Sequence, residues 1–210
     1  LGIIQNAWLY PSKFMDAYDS GPRSNVEAMI KDMGIKNGHI TFSSFVLSDK
    51  SFLFFETGFR LSGDQAFTYT NTVGKTNVLD AMITYAINGD AKEVISDMDK
   101  SSSGLIAGKK CLTINAYAKG GEIKSIDGLE RIEAIPDCTY VLKNVSVGDK
   151  CDDSHAILKK ICQAVFVNDS VESLKEDADN MYASLTVTDL DNQDMIFDRI
   201  DSNVVSKWWS

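Results

Sequence analysis

Hydrophobic side chains recur at two periods along this chain, and the switches between those periods mark out its elements. Residues 11–18 are rich in aromatics and read as a short helix. Ser24-Asn25-Val26-Glu27 has the form of a capping box, in which the Ser24 hydroxyl and the Glu27 carboxylate each take a free backbone N–H. Val26, Met29, Ile30 and Met33 follow at helical spacing, and Gly34 is the stop. Two β-branched and aromatic runs, 39–47 and 51–59, predict strands joined as a hairpin through Ser48-Asp49-Lys50-Ser51. Residues 63–75 show neither period and read as a loop. From Thr76 the helical period returns with Val78, Leu79, Met82, Ile83 and Ala86 on one face, and Gly89 ends it.

Lys100-Ser101-Ser102-Ser103-Gly104 has the composition of a linker. Beyond it, 111–118 and 122–126 read as strands joined by Gly120-Gly121 as a hairpin turn. Further strands are predicted at 139–145, 161–167 and 185–188, with a turn at Gly148-Asp149. Asp169 is placed to cap a helix, with Glu172 three residues on and Val171, Leu174, Ala178 and Met181 as the inner stripe. Strands and helices interleave without strict βαβ regularity, so the fold class is α+β in two pieces, residues 1–100 and residues 105–210.

Composition narrows the function classes. A chain that is 44% hydrophobic and 24% charged suits a globular protein. Its net charge of −9, without any Lys/Arg cluster, excludes a phosphate-binding surface for nucleic acid. No apolar run approaches the roughly 18 residues that span a bilayer. No membrane partner is expected, and the expected location is cytoplasmic. The chain opens Leu1-Gly2-Ile3-Ile4, with neither Met nor a signal-peptide pattern, which suggests a truncated or processed chain. Cys111, Cys138, Cys151 and Cys162 match no zinc spacing and read as reduced thiols. His39 and His155 are far apart in sequence, which gives poor support to a His-based catalytic or zinc site.

The chemistry concentrates in Phe52-Leu53-Phe54-Phe55-Glu56-Thr57-Gly58-Phe59-Arg60-Leu61-Ser62-Gly63. Strand alternation puts Glu56, Gly58 and Arg60 on one face. A carboxylate is a hard oxygen ligand for Mg²⁺, and a guanidinium presents a planar fork to phosphate oxygens. From spacing alone, a plain Glu–Arg pair at a strand end remains the competing reading. Lys75, beside Gly74 before a helix start, is placed to touch a phosphate, with a solvated lysine as the alternative. The acidic run from Asp189 to Asp194 lacks the glycine and closing Glu of an EF-hand and reads as a turn, and Trp208-Trp209 read as docking aromatics.

Glu-x-x-x-Arg-Leu-x-Gly after an apolar strand resembles the metal-binding strand of ATP-grasp enzymes such as biotin carboxylase and the large subunit of carbamoyl phosphate synthase. The likeness takes in Tyr10-Pro11-Ser12, the helix ending Asp32-Met33-Gly34-Ile35-Lys36-Asn37-Gly38, the hairpin, and the helix ending Tyr85-Ala86-Ile87-Asn88-Gly89. It covers about residues 1–95, and from about 105 onward the chain is similar, more weakly, to the small β-rich domain that follows the ATP-grasp core. The resemblance implies the C-terminal half of an ATP-grasp domain, with ATP and Mg²⁺ as cofactors. Glu56 would be a metal ligand, Arg60 the catalytic arginine on the transferring phosphoryl group, and Gly63 a point of close approach for the substrate; Lys75 as a nucleotide contact rests on its place before a helix and not on the resemblance. The implied reaction joins a carboxylate to an amine through an acylphosphate, with ATP and the carboxylate as partners; a homodimer is one assembly it admits. Two departures stand out. Counting twelve back from Glu56 gives Ser44 where a first acidic ligand is expected, and Gly58 replaces the usual Asn. The lysines that grip the nucleotide in the family would lie before residue 1, so the chain alone is expected to be inactive. A non-catalytic relative acting as a binding or scaffold module, and a sugar-binding β domain over 105–210, remain as rival readings.

Overall fold

The computed structural model describes residues 5–63, 65, 67–68, 71, 77–95, 108–152 and 159–209. The chain forms two compact units, residues 11–107 and residues 1–10 with 108–210. The first ten residues therefore group with the second unit, where the sequence had placed them with the first.

In the 11–107 unit, helix α1 (Met15–Ser20) leads through Gly21-Pro22 into α2 (Arg23–Asp32). The capping box does not form. Pro22 occupies the N-cap without a side-chain cap, Ser24 lies inside the helix, and the Glu27 carboxylate is engaged by Arg23 Nε at 2.8 Å. Proline is tolerated at a helix start because its missing N–H would have had no partner there. Strands β2 (Thr41–Val46) and β3 (Phe52–Gly58) form the predicted hairpin. Helix α3 (Val78–Asn88) carries the predicted stripe; Asn77 Oδ1 accepts from the N–H groups of Leu79 and Asp80, and Gly89 closes it at φ 71°. A short α4 (Lys92–Ile95) follows. This unit buries little. Among its described residues Val26 is the one apolar side chain in the buried class, while Phe45, Leu53, Phe55, Phe59 and Ile87 are each more than half exposed.

The second unit holds the core. Its main antiparallel sheet runs β1 (Ala7–Tyr10), β4 (Lys110–Ala118), β8 (Lys160–Asn168) and β6 (Cys138–Lys143), with β10 (Ile196–Phe197) sharing the edge of β4 beside β1. A second sheet joins β7 (Lys150–Cys151), β5 (Gly121–Asp127) and β9 (Thr186–Asp189). Strands β4 and β5 do not pair, so Gly120-Gly121 is not a hairpin turn but a corner that passes the chain from one sheet to the other. Gly121 sits at φ 134°, a conformation open to glycine, and the adjoining Lys119 N–H is taken by the Met195 carbonyl at 2.7 Å.

Helix α5 (Leu129–Glu133) and the 14-residue α6 (Val171–Ser184) pack Ile132, Leu174, Ala178 and Met181 into a core with Leu112, Ile114, Phe166 and Val187. The α6 cap is Ser170, whose Oγ accepts from the Ser173 N–H at 3.2 Å; Asp169 instead pairs with Lys109 at 3.1 Å. A last helix, α7 (Asn203–Trp209), sets Trp209 against the core. The Asp189–Asp194 run is a turn, as read: Asp189 Oδ1 accepts from the N–H groups of Asp191 and Gln193. The predicted linker at 100–104 lies outside the described residues.

Candidate functional site

The predicted site occupies the end of the β2–β3 hairpin away from its turn. Pairing runs Val46 with Phe52, Phe45 with Leu53 and Ser44 with Phe54, then slips, and resumes as Ser43 with Glu56, Phe42 with Thr57 and Thr41 with Gly58. Phe55 is thus the extra residue of a β-bulge, in which two residues of one strand oppose one of the other. The slip re-aims the side chains. In an unbroken strand Glu56 would share the face of Phe52 and Phe54, whose rings pack with Tyr18 and Phe42. With the bulge it joins Leu53 and Phe55 on the exposed face, where Phe55 stacks on Phe45 at 4.6 Å between centroids. Ser43, and not Ser44, therefore stands across from Glu56. Counting residues could not foresee this, because a bulge consumes one without a partner.

Glu56 is exposed. Arg60 lies beyond the last residue of β3; its Nη1 donates to the Leu61 carbonyl at 2.9 Å, and the side chain is exposed. Among the described residues neither enters an ion pair, so the plain Glu–Arg pair is not what holds them. Gly58 is crowded: a Cβ there would approach Thr41 Oγ1 to 3.0 Å, and that hydroxyl donates to the Gly58 carbonyl at 3.3 Å. A side chain at this position would have to displace the Thr41 hydroxyl by a few tenths of an ångström. A Cβ on Gly63 would meet nothing within 4 Å, so open space surrounds it. Lys75 and His155 lie outside the described residues. Among those described, no group of three His, Cys, Asp or Glu side chains could hold a metal ion. A single carboxylate such as Glu56 still fits the mode in which Mg²⁺ uses one or two protein carboxylates and takes its other oxygens from phosphate and water.

Two clefts escaped the sequence reading. One, of about 440 Å³, opens between residues 36–39 and the α3–α4 pair, with Met82, Tyr85 and Ile95 on its apolar side and Lys36 and His39 opposite. Burial lowers the pKa of the His39 imidazole. The other, of about 540 Å³, lies in the second unit and is lined by Arg131, Asp137, Glu176 and Asp177. Burial pushes the Asp177 carboxyl up from 3.8 to about 7, helped by the charge and hydrogen bond of Asp137 and then by Glu176. A signal for it existed: Asp177 stands on the inner stripe of α6 between Leu174 and Met181, where an apolar residue would be expected.

Neither a protein-family model nor a curated protein matches the chain. Solved structures do. An L-amino acid ligase from Bacillus licheniformis superposes with a TM-score of 0.72 at 14% identity, over 90% of this chain and 45% of that one. Phosphoribosylglycinamide synthetase from Anaerococcus prevotii gives 0.71 at 14%, over 88% and 45%. The biotin carboxylase domain of Hydrogenobacter thermophilus 2-oxoglutarate carboxylase, described in complex with MgADP, ADP and bicarbonate, gives 0.60 at 12%, over 91% and 40%. The chain spans less than half the length of these structures. At such identities the likeness carries the fold and nothing finer.

Proposed function

We propose that this chain, which has the fold of the corresponding part of ATP-grasp enzymes, supplies that part of an ATP-dependent carboxylate–amine ligase of the carbamoyl phosphate synthase kind. The observation that carries the reading is the superposition of about nine-tenths of the chain on less than half of ligase-type structures. The poor burial of the 11–107 unit supports it, because exposed apolar side chains on this scale mark surface that a larger body covers.

In this reading Glu56 offers its carboxylate to Mg²⁺, whose chemistry is to offset charge on the triphosphate. Arg60 gives its guanidinium to the oxygens of the transferring phosphoryl group, and the bond it makes among the described residues, to the exposed Leu61 carbonyl, is easily exchanged for a phosphate. Gly63 leaves room for close approach of the nucleotide, and Lys75 adds a cation on the phosphates. Such catalysis rests on positioning and preorganised charge, with no side-chain nucleophile. A second reading, a non-catalytic relative that binds or scaffolds, is favoured by Ser44 and Gly58 at the positions where the resemblance expects metal ligands, and by Ser43, which also lacks a carboxylate, standing across from Glu56.

Carboxylate-dependent release of ADP by a longer polypeptide containing this chain separates the two. We expect turnover there, reduced roughly 10²–10³-fold by Arg60→Ala, the scale of losing one preorganised charge-stabilising donor. Residues 1–210 alone should bind Mg·ATP weakly or not at all by calorimetry. Wild-type turnover in Arg60→Ala removes that residue from the mechanism, and no ADP release with any carboxylate leaves the scaffold reading standing.

A further inference from the structure

We propose that Asp177 holds a proton that it donates to the Asp137 carboxylate, and that this proton is a pH-sensitive latch between helix α6 and the turn leading into β6. Asp177 is only 6% exposed, and its Oδ2 is closed to solvent and receives no hydrogen bond among the described residues. Its neighbour in the cleft is the Asp137 carboxyl, whose Oδ2 accepts from Asn168 Nδ2 at 2.6 Å. The two carboxyls line one cleft and interact through charge and a side-chain hydrogen bond, so both ionised together they would repel. A proton on one turns the contact into an O–H···O bond, the arrangement paired carboxyls adopt when like charges cannot both ionise.

Larger cations do not suit the position. An oxygen inaccessible to water is equally inaccessible to an ammonium group or a hydrated metal, and no three-ligand metal group exists among the described residues. The charged groups nearby do not relieve the pair either. Glu176 on α6 adds negative charge, and Glu133 of α5 and the Cys138 thiol of β6 lie in the same field. Arg131 lines the cleft but is committed, at 2.8 Å each, to Asp127 and to the Ser184 carbonyl. Lys175 on α6 pairs with Asp179 at 3.8 Å.

The raised carboxyl of Asp177 fixes the sign of the effect. Its folded-state value of about 7 lies above the ordinary 3.8, so the folded protein holds the proton more tightly than the unfolded chain. The stability this contributes is complete below pH 3.8 and is lost as pH rises toward and through about 7. A fall in pH from just above neutrality therefore tightens the seat of α6, and a rise loosens it.

The test combines carboxyl carbon NMR with thermal unfolding between pH 5 and 8.5 of the wild type, Asp177→Asn and Asp137→Asn. One aspartate should titrate near neutrality, and the wild-type Tm should fall by about 5 °C or more across the range. Both variants should lose that slope, since a side-chain amide can donate permanently to the remaining carboxylate. Absence of any aspartate titrating above pH 5.5, or an unchanged slope in both variants, overturns the proposal. Should Asp177→Asn fail to fold, the wild-type titration and Asp137→Asn still decide.

Discussion

Gly128→Ala is expected to destabilise the second unit severely, through a clash that the structure locates. Gly128 precedes α5 at φ 96°, and a Cβ there would stand 1.9 Å from the carbonyl oxygen of Ser184, at the end of α6, and 2.8 Å from Arg131 Nη2. The backbone conformation alone costs a non-glycine residue about 1–2 kcal/mol. A carbon–oxygen contact relaxes only near about 3.3 Å, so the start of α5 and the end of α6 must part by more than about 1 Å. That separation strains the Arg131–Ser184 bond, worth about 1 kcal/mol at this exposed position, and loosens Ile132, which is fully buried. Together the loss is about 3–5 kcal/mol. Gly148→Ala is the control: its φ is 87°, but nothing lies within 4 Å of the added Cβ, so only the backbone cost of about 1–2 kcal/mol applies. For a unit of this size each kcal/mol moves Tm by about 4–8 °C. Calorimetry should place Gly148→Ala about 4–15 °C below the wild type, and Gly128→Ala at least about 10 °C lower again or unfolded. Equal melting of the two variants would refute the contact on which the reasoning rests.

Two further outcomes follow from burial. Ellman titration of the native protein at pH 8 should modify Cys138 first, because it is half-buried, while Cys111 and Cys162 are sealed and the Cys162 thiol is pushed up to about 12 by burial; early labelling of Cys162 would contradict this. Phe55→Asp should reduce concentration-dependent light scattering by placing a charge on the exposed aromatic face, at a cost of about 0.5–1.5 kcal/mol from the lost stacking on Phe45; undiminished scattering would clear that face of responsibility.

Local chemistry made much of the fold legible. The α3 stripe, its Asn77 start and its Gly89 stop agree because each signal acts within a few residues. The misreadings arise where distant groups decide. Ser24 and Glu27 satisfy a capping pattern, yet Arg23 bridges Asp19 and Glu27 and α2 starts two residues earlier, with Pro22 and not Ser24 at its N-cap. Gly120-Gly121 has hairpin chemistry, but the pairing of β4 with β1, β8 and β10 leaves no edge for β5. Strands β1 and β10, of four and two residues, exist only by pairing with β4 and carry too short a pattern to announce themselves. At the candidate site the residue types were visible and the strand faces were not, since the bulge at Phe55 reverses the alternation on which counting depends.

The antiparallel pairing of β1 with β4 ends at Tyr10 opposite Cys111, so the chain departs from and returns to neighbouring points of one ladder. Topologically, residues 11–107 are a guest spliced into what would otherwise be an ordinary two-stranded turn. Bridging Tyr10 to Lys110 with a few turn-forming residues would excise the guest and shorten the closure by about a hundred positions, a saving of about 3 kcal/mol in chain entropy if the guest were slack. The host thus carries an architecture in which the β2–β3 hairpin and its helices could be exchanged for another insert without redrawing its own sheet.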